Sequence, residues 1–219
     1  MKYYKFSFDF KMLNILSILL FAIFFIPCAF YFDNFEFGAL TFSLMFIWLW
    51  IHEIIHGIGF SINKEVSFKN VTFGALLEKG ILYCMCKQKI SKKSILIALI
   101  LPLVVIGFIT LIISFIINDG VLAFLSCLNI SGAIGDIVMF IMITRMPKEI
   151  YYIDLDEPDS FILLSNHDLN NYLIPGVSID EEGIYTEDMT PHDFKKLTIS
   201  KTSMIIFIII FIIILLSLI

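Results

Sequence analysis

Long apolar runs alternate with short polar links along this chain. The runs are too long and too uniform for buried strands or the one-sided helices of a water-soluble domain. Five stand out, at roughly residues 12–32, 38–62, 95–117, 121–146 and 203–219. At a rise of about 1.5 Å per residue, each is about long enough to cross a hydrocarbon core as a helix. The first follows Lys2, Lys5 and Lys11, as a signal peptide would. It lacks a small-x-small cleavage site, and "FIPCAF" around Cys28 is a poor lipoprotein box, so an uncleaved span is expected. Between the second and third runs, "VSFKNVTFG" and "GILYCMC" place β-branched and aromatic residues at strand-like intervals, with Gly74 and Gly80 as punctuation, and predict a short hairpin. Farther on, "YYIDLD" and "SFILLS" predict two strands of a small lobe.

The expected architecture is therefore an all-α polytopic membrane protein with about five transmembrane helices. A membrane-embedded core occupies residues 1–146, with a short cytoplasmic β-hairpin within 63–94. A small acidic cytoplasmic segment follows at 147–202, and a C-terminal transmembrane helix at 203–219.

Composition agrees with this reading. Of 219 residues, 59 % are hydrophobic, 16 % are charged and 23 are Phe, which fits a chain solvated mainly by lipid. No basic patch or aromatic-lined groove points to nucleic acid. The net charge of −5 matters less than its distribution. Lysines precede the first run and fill the second link, from Lys64 to Lys93. Arg145, Lys148, Lys195, Lys196 and Lys201 lie between the fourth and fifth runs, and the links 33–37 and 118–120 carry no base. All 15 basic residues thus fall on one side, which the positive-inside rule makes cytoplasmic. The N-terminus is expected inside and the C-terminus outside. Cys28, Cys84, Cys86 and Cys127 form no disulfide framework, and Cys84 and Cys86 are expected to be ordinary residues of a reduced strand.

One stretch breaks the lipid-like pattern. In "WIHEIIHGIGF", from Trp50 to Phe60, His52, Glu53 and His56 sit inside an apolar run. A single histidine there would serve as a hydrogen bond between helices, but three ionisable groups within five residues are costly in a bilayer and mark a functional site. Positions i and i+4 share a helix face, so His52 and His56 can aim ring nitrogens at one point while Glu53 reaches its side. That is the arrangement of a zinc hydrolase, with two imidazoles on Zn²⁺ and a carboxylate to take a proton from water.

A third protein ligand must lie at the same depth. His52 is 14 residues past Gly38 and Asp136 is 15 past Val121, which puts both about 21 to 23 Å from the outer ends of their runs. Asp136 lies in "NISGAIGDI", where Ser131 and Gly135 are four apart and offer a thin helix surface to match Gly57 and Gly59. Asn129, seven residues earlier, falls on nearly the same face, placed either to orient substrate or to hold helices together. His167 and His192 fall in polar stretches and are expected to be solvated.

These residues carry a resemblance. "HEIIHGIGF", "ILYCMCKQKIS", "ALILPLVV" and "NISGAIGDIVMFIMITRMPKEIYYIDLD" together resemble the zincin-peptidase family of small bacterial membrane proteins, over about residues 45 to 156. More distantly, the layout is similar to the site-2 proteases, which cut within or beside transmembrane helices. The resemblance implies a zinc-dependent membrane peptidase in a bacterial cytoplasmic membrane. It implies His52, His56 and Asp136 as metal ligands, Glu53 as catalytic base and a membrane protein or peptide as substrate. The hairpin is expected either to pair with an extended peptide through its open edge or to be an ordinary re-entrant or surface hairpin. Two alternatives stand beside this one: a non-enzymatic membrane protein of transporter or immunity type, and a zinc hydrolase acting on a lipid or another amide.

Overall fold

The computed structural model describes residues 1–35, 38–76, 81–155 and 160–186. In chain order, strand β1 (Lys2–Phe8) leads into helix α1 (Phe10–Tyr31), and α2 (Ala39–Ile62) returns. The hairpin β2 (Val71–Leu76) and β3 (Ile81–Cys86) follows, then the short β4 (Ile90–Ser91). Helix α3 (Lys92–Pro102) runs through a π-helical stretch, Leu103–Ile109, into α4 (Thr110–Ile117). Helices α5 (Gly120–Gly132) and α6 (Ile134–Arg145) come back, and β5 (Ile150–Asp154), β6 (Ser160–Ser165) and β7 (Val177–Ile184) end the described chain.

The fold is mixed α/β, and the all-α expectation is wrong. Among the described residues, five strands form one antiparallel sheet in the order β4-β5-β6-β1-β7, apart from the two-stranded hairpin. The hairpin and the strands at "YYIDLD" and "SFILLS" are present as expected. What the hydropathy pattern hid is β1, whose seven residues "KYYKFSF" look like the charged flank of a span. Tyr4 and Phe6 are wholly buried, Phe6 stacks on Phe161, and the strand lies between β6 and β7. Acidic β7, "VSIDEEGI", was hidden too, because it is an edge strand whose outward side chains face water.

Among the described residues, three helical stretches are long and apolar enough to cross a membrane: Phe10–Tyr31, Ala39–Ile62 and Lys92–Ile117. The run expected as one span at 121–146 is a pair of helices bent by 47° at Ala133. The run at 203–219 lies outside the described residues.

The sheet gathers one end of the helical bundle. Its inner face contributes Tyr4, Phe6, Tyr152, Phe161 and Leu163 to a core shared with Phe60, Ile95, Leu99, Met139 and Met142 of the helices. The outer face buries a smaller cluster around Tyr3, Ile153, Ile162 and Leu164. At the opposite end, the links after α1 and after α4 are tied together. Asn34 Nδ2 donates to Asn118 O at 2.8 Å, and its Oδ1 accepts from Gly120 N–H at 3.1 Å. The described lysine-bearing links therefore lie at the sheet end, and the base-free links at the other.

Candidate metal centre

His52 and His56 occupy successive turns of α2, and the spacing has the geometric result expected of it. Their Nε2 atoms are 2.9 Å apart, and Asp136 Oδ2 lies 3.2 Å from the first and 3.3 Å from the second. Four donors about 2.0 to 2.1 Å from a tetrahedral ion lie roughly 3.3 Å from one another, so these three atoms nearly form one face of such a tetrahedron. Among the described residues, this is the group of His, Cys, Asp and Glu side chains that could hold a metal ion. Both histidines are buried, and Asp136 is about one-fifth exposed.

The far nitrogen of each ring settles what the near one offers. His52 Nδ1 is 2.7 Å from Asn129 Oδ1, and His56 Nδ1 is 2.8 Å from the Ala98 carbonyl. Asn129 cannot be turned over at no cost, because its Nδ2 donates to Pro102 O at 3.3 Å. Both Nδ1 atoms therefore carry a proton and donate it. When neutral, each ring then has its lone pair on Nε2, aimed at the other ring and at a carboxylate oxygen. Three lone pairs converging in a buried space repel one another unless a cation lies between them, so the donor set fits zinc.

The Ala98 acceptor has a local cause. In a helix, the carbonyl of residue 98 is bonded by the N–H of residue 102, and residue 102 is proline, which has none. Pro102 frees the Ala98 carbonyl, and His56 takes it. The helix passes directly into its π stretch at Leu103, where Gly107 lets Asn129 and Ile130 of α5 come close. The signal in the sequence is the proline of "ALILPLVV", four residues past Ala98. Asn129 stands behind His52, on the side away from Asp136. That is the position of a residue that holds and orients the ring.

The glycines by the histidines act differently from expectation. A Cβ on Gly59 would meet the Ala98 backbone at 2.5 Å, and one on Gly57 would meet the Phe73 ring at 2.8 Å. Thus α2 is thin toward α3 on one side and toward the hairpin on the other. A Cβ on Gly132 or Gly135 would meet nothing within 4 Å, so close helix approach there does not bring Asp136 to the histidines. The bend at Ala133 does: it starts a new helix whose first turn carries Asp136, where the positive end of the helix dipole favours a carboxylate.

Glu53 faces the hairpin, near enough to both histidines and Asp136 to feel their charge, and its carboxylate accepts from the Cys84 backbone N–H. Two residues on, the Cys86 N–H donates to Asp154 Oδ2 at 2.7 Å, while the Tyr152 hydroxyl donates to Asp154 Oδ1. The side of β3 turned away from β2, expected to be open, is thus capped by two carboxylates. Burial pushes the Asp154 carboxyl up to about 6, against the opposing pull of those hydrogen bonds. Burial likewise raises the Cys84 thiol and pushes Cys86 up to about 11, so both stay protonated at neutral pH as ordinary strand residues. His167 is exposed and is not part of the donor set, and His192 lies outside the described residues.

The donor set and its hydrogen-bonded supports thus sit among helices apolar enough to cross a membrane. The profile of the family described as "Putative zincin peptidase" matches residues 45–151 of this chain, a span that contains the donor set, Glu53, Ala98, Pro102 and Asn129. No curated protein and no solved structure matches the chain.

Proposed function

We propose that the protein is a zinc-dependent peptidase that hydrolyses a peptide bond of a membrane protein or peptide, within the bilayer or beside it. The observation that carries this reading is the meeting of the His52, His56 and Asp136 lone pairs, with both Nδ1 atoms already committed as donors. His52 and His56 through Nε2, and Asp136 through Oδ2, would hold the ion. Bound there, zinc supplies a Lewis acid that makes water nucleophilic near neutral pH and polarises a carbonyl.

The chain's own residues do the rest. Glu53 receives the proton that the attacking water loses and returns it to the leaving amine. An extended peptide lying along the capped side of β3 would offer a carbonyl to the Cys84 N–H, and Glu53 would then be free for that work. Asn129 and the Ala98 carbonyl keep the two rings aimed and their Nε2 atoms unprotonated. The lysine-rich sheet end faces the cytoplasm of a bacterium by the positive-inside rule, with the C-terminus on the other side.

The test is zinc per chain in detergent-purified protein, native and with His56→Ala or Asp136→Ala. About one zinc in the native chain, lost in both variants, supports the reading. Loss in His56→Ala alone keeps the hydrolase and removes Asp136 as ligand. A folded native protein that takes up no zinc when metal is offered overturns it in favour of a non-enzymatic membrane protein.

A further inference from the structure

A groove lies at the sheet end of the bundle, with none of the metal-centre residues in its lining. It is open, has a volume of about 550 Å³ and runs between α3 and α6. Its walls are Leu96, Ile97 and Ile100 of α3 and Phe140 of α6, and its end is ringed by Lys92, Lys93 and Lys148. Residues 92, 93, 96, 97 and 100 fall on one helical face, as do 140 and 144 opposite, so the groove follows the helices. From Lys92 to Ile100 it extends about 12 Å along α3, the length of roughly nine methylenes of an extended chain.

The lysines divide into two kinds. Lys92 is spent on structure: its Nζ donates to Thr144 O at 3.0 Å and Met146 O at 2.6 Å, closing the last turn of α6 against the start of α3. Lys93 and Lys148 are exposed, and among the described residues no ion pair engages either. Glu65 is near enough to Lys93 to feel its charge, but its two oxygens accept from Ser91 N–H and Ser91 Oγ. Lys148 is near enough to Lys92 for the two like charges to repel. The groove end is thus a cluster of cations short of an anion, at the mouth of an apolar slot on helices apolar enough to lie in a bilayer.

We propose that this groove binds an anionic phospholipid, with its phosphodiester at Lys93 and Lys148 and one acyl chain along Leu96, Ile97, Ile100 and Phe140. Charge complementarity selects the head group, since juxtamembrane lysines attract anionic lipid and are indifferent to a zwitterion. The apolar walls select a lipid over free phosphate, which would satisfy the lysines and leave the slot uncovered.

The test is native mass spectrometry of the full chain released from mixed phosphatidylglycerol and phosphatidylcholine nanodiscs, counting retained lipids. The native chain is expected to keep one phosphatidylglycerol in preference to phosphatidylcholine. Lys93→Ala with Lys148→Ala should lower that preference roughly tenfold or more, and Lys93→Arg with Lys148→Arg should retain it. Ile97→Trp, which fills the slot and keeps both charges, should reduce retention of phosphatidylglycerol. Equal retention of the two lipids by the native chain overturns the proposal. So does an unchanged preference in the double alanine variant, displacement by inorganic phosphate alone, or a groove protected by a second copy of the chain in place of lipid.

Discussion

His56 Nδ1 lies 2.8 Å from the carbonyl of Ala98, the backbone acceptor that Pro102 leaves without a helical partner. A break in one helix thereby fixes the tautomer of a histidine on another. Pro102→Ala restores an N–H that competes for the same oxygen. Zinc affinity, measured by competition with a chromogenic chelator, should fall roughly 10- to 100-fold, the usual cost of losing an outer partner of a ligating histidine. Unchanged affinity in a folded variant would remove the Ala98 carbonyl from the account.

Asn129 does for His52 what Ala98 does for His56. Asn129→Ala should weaken zinc by a similar 10- to 100-fold. Asn129→Asp keeps an acceptor at Oδ1 and should retain most of the affinity. A substrate-orienting role would instead raise KM and leave the zinc titration unchanged.

Glu53→Gln keeps the shape of the side chain and removes its ability to take a proton. The variant should hold zinc as the native chain does and lose roughly 10²- to 10⁴-fold in turnover, assayed on a membrane peptide library. Full turnover would show that the proton goes elsewhere.

Gly59 lets the Ala98 backbone come within contact distance of α2, and no side chain fits between them. Gly59→Val should push α3 away, lengthen the His56 bond and lower stability by roughly 1–3 kcal/mol. Thermal unfolding in detergent and zinc titration should report the two losses together. Gly135→Ala, where a Cβ meets nothing, should change neither.

Asp154 gives the stability a pH dependence of definite sign. Its folded-state value is raised from 3.8 to about 6 by burial, so the unfolded chain gives up this proton first. Stability from this group therefore declines as pH climbs from about 4 to about 6 and stays lower above that. Asp154→Asn should flatten this part of the curve. Above pH 6.5 its midpoint should match or exceed the native one by roughly 2–4 °C. A native curve that rises over the same window would assign the slope to other groups.

Much of the site was legible because its chemistry obeys a helical period and a depth count. His52 and His56 are four apart, and Asp136 falls at nearly their depth. The supports were less legible, since the Ala98 partner is a backbone atom and its availability depends on what residue 102 lacks. Fold class was misread for a related reason. Period and hydropathy detect elements that face lipid or water on one side. Strand β1 is central to its sheet and carries lysines at 2 and 5, so its seven residues carry neither signal. The bend at Ala133 was hidden as well, because an apolar run reads the same whether its helix is straight or broken.

The position of β1 also bears on how the molecule is made. The strand leaves the ribosome before helices α1 to α6, yet both its neighbours, β6 and β7, come after those helices have been synthesised. Until residues 160 to 184 emerge, Tyr4 and Phe6 have no sheet to enter and the N-terminal strand waits with both edges bare. Assembly of the sheet-side core is thus a late event that joins the two ends of the described chain. A nascent chain halted before β7 would hold its helices and the residues of its metal centre, but not the finished floor on which they rest.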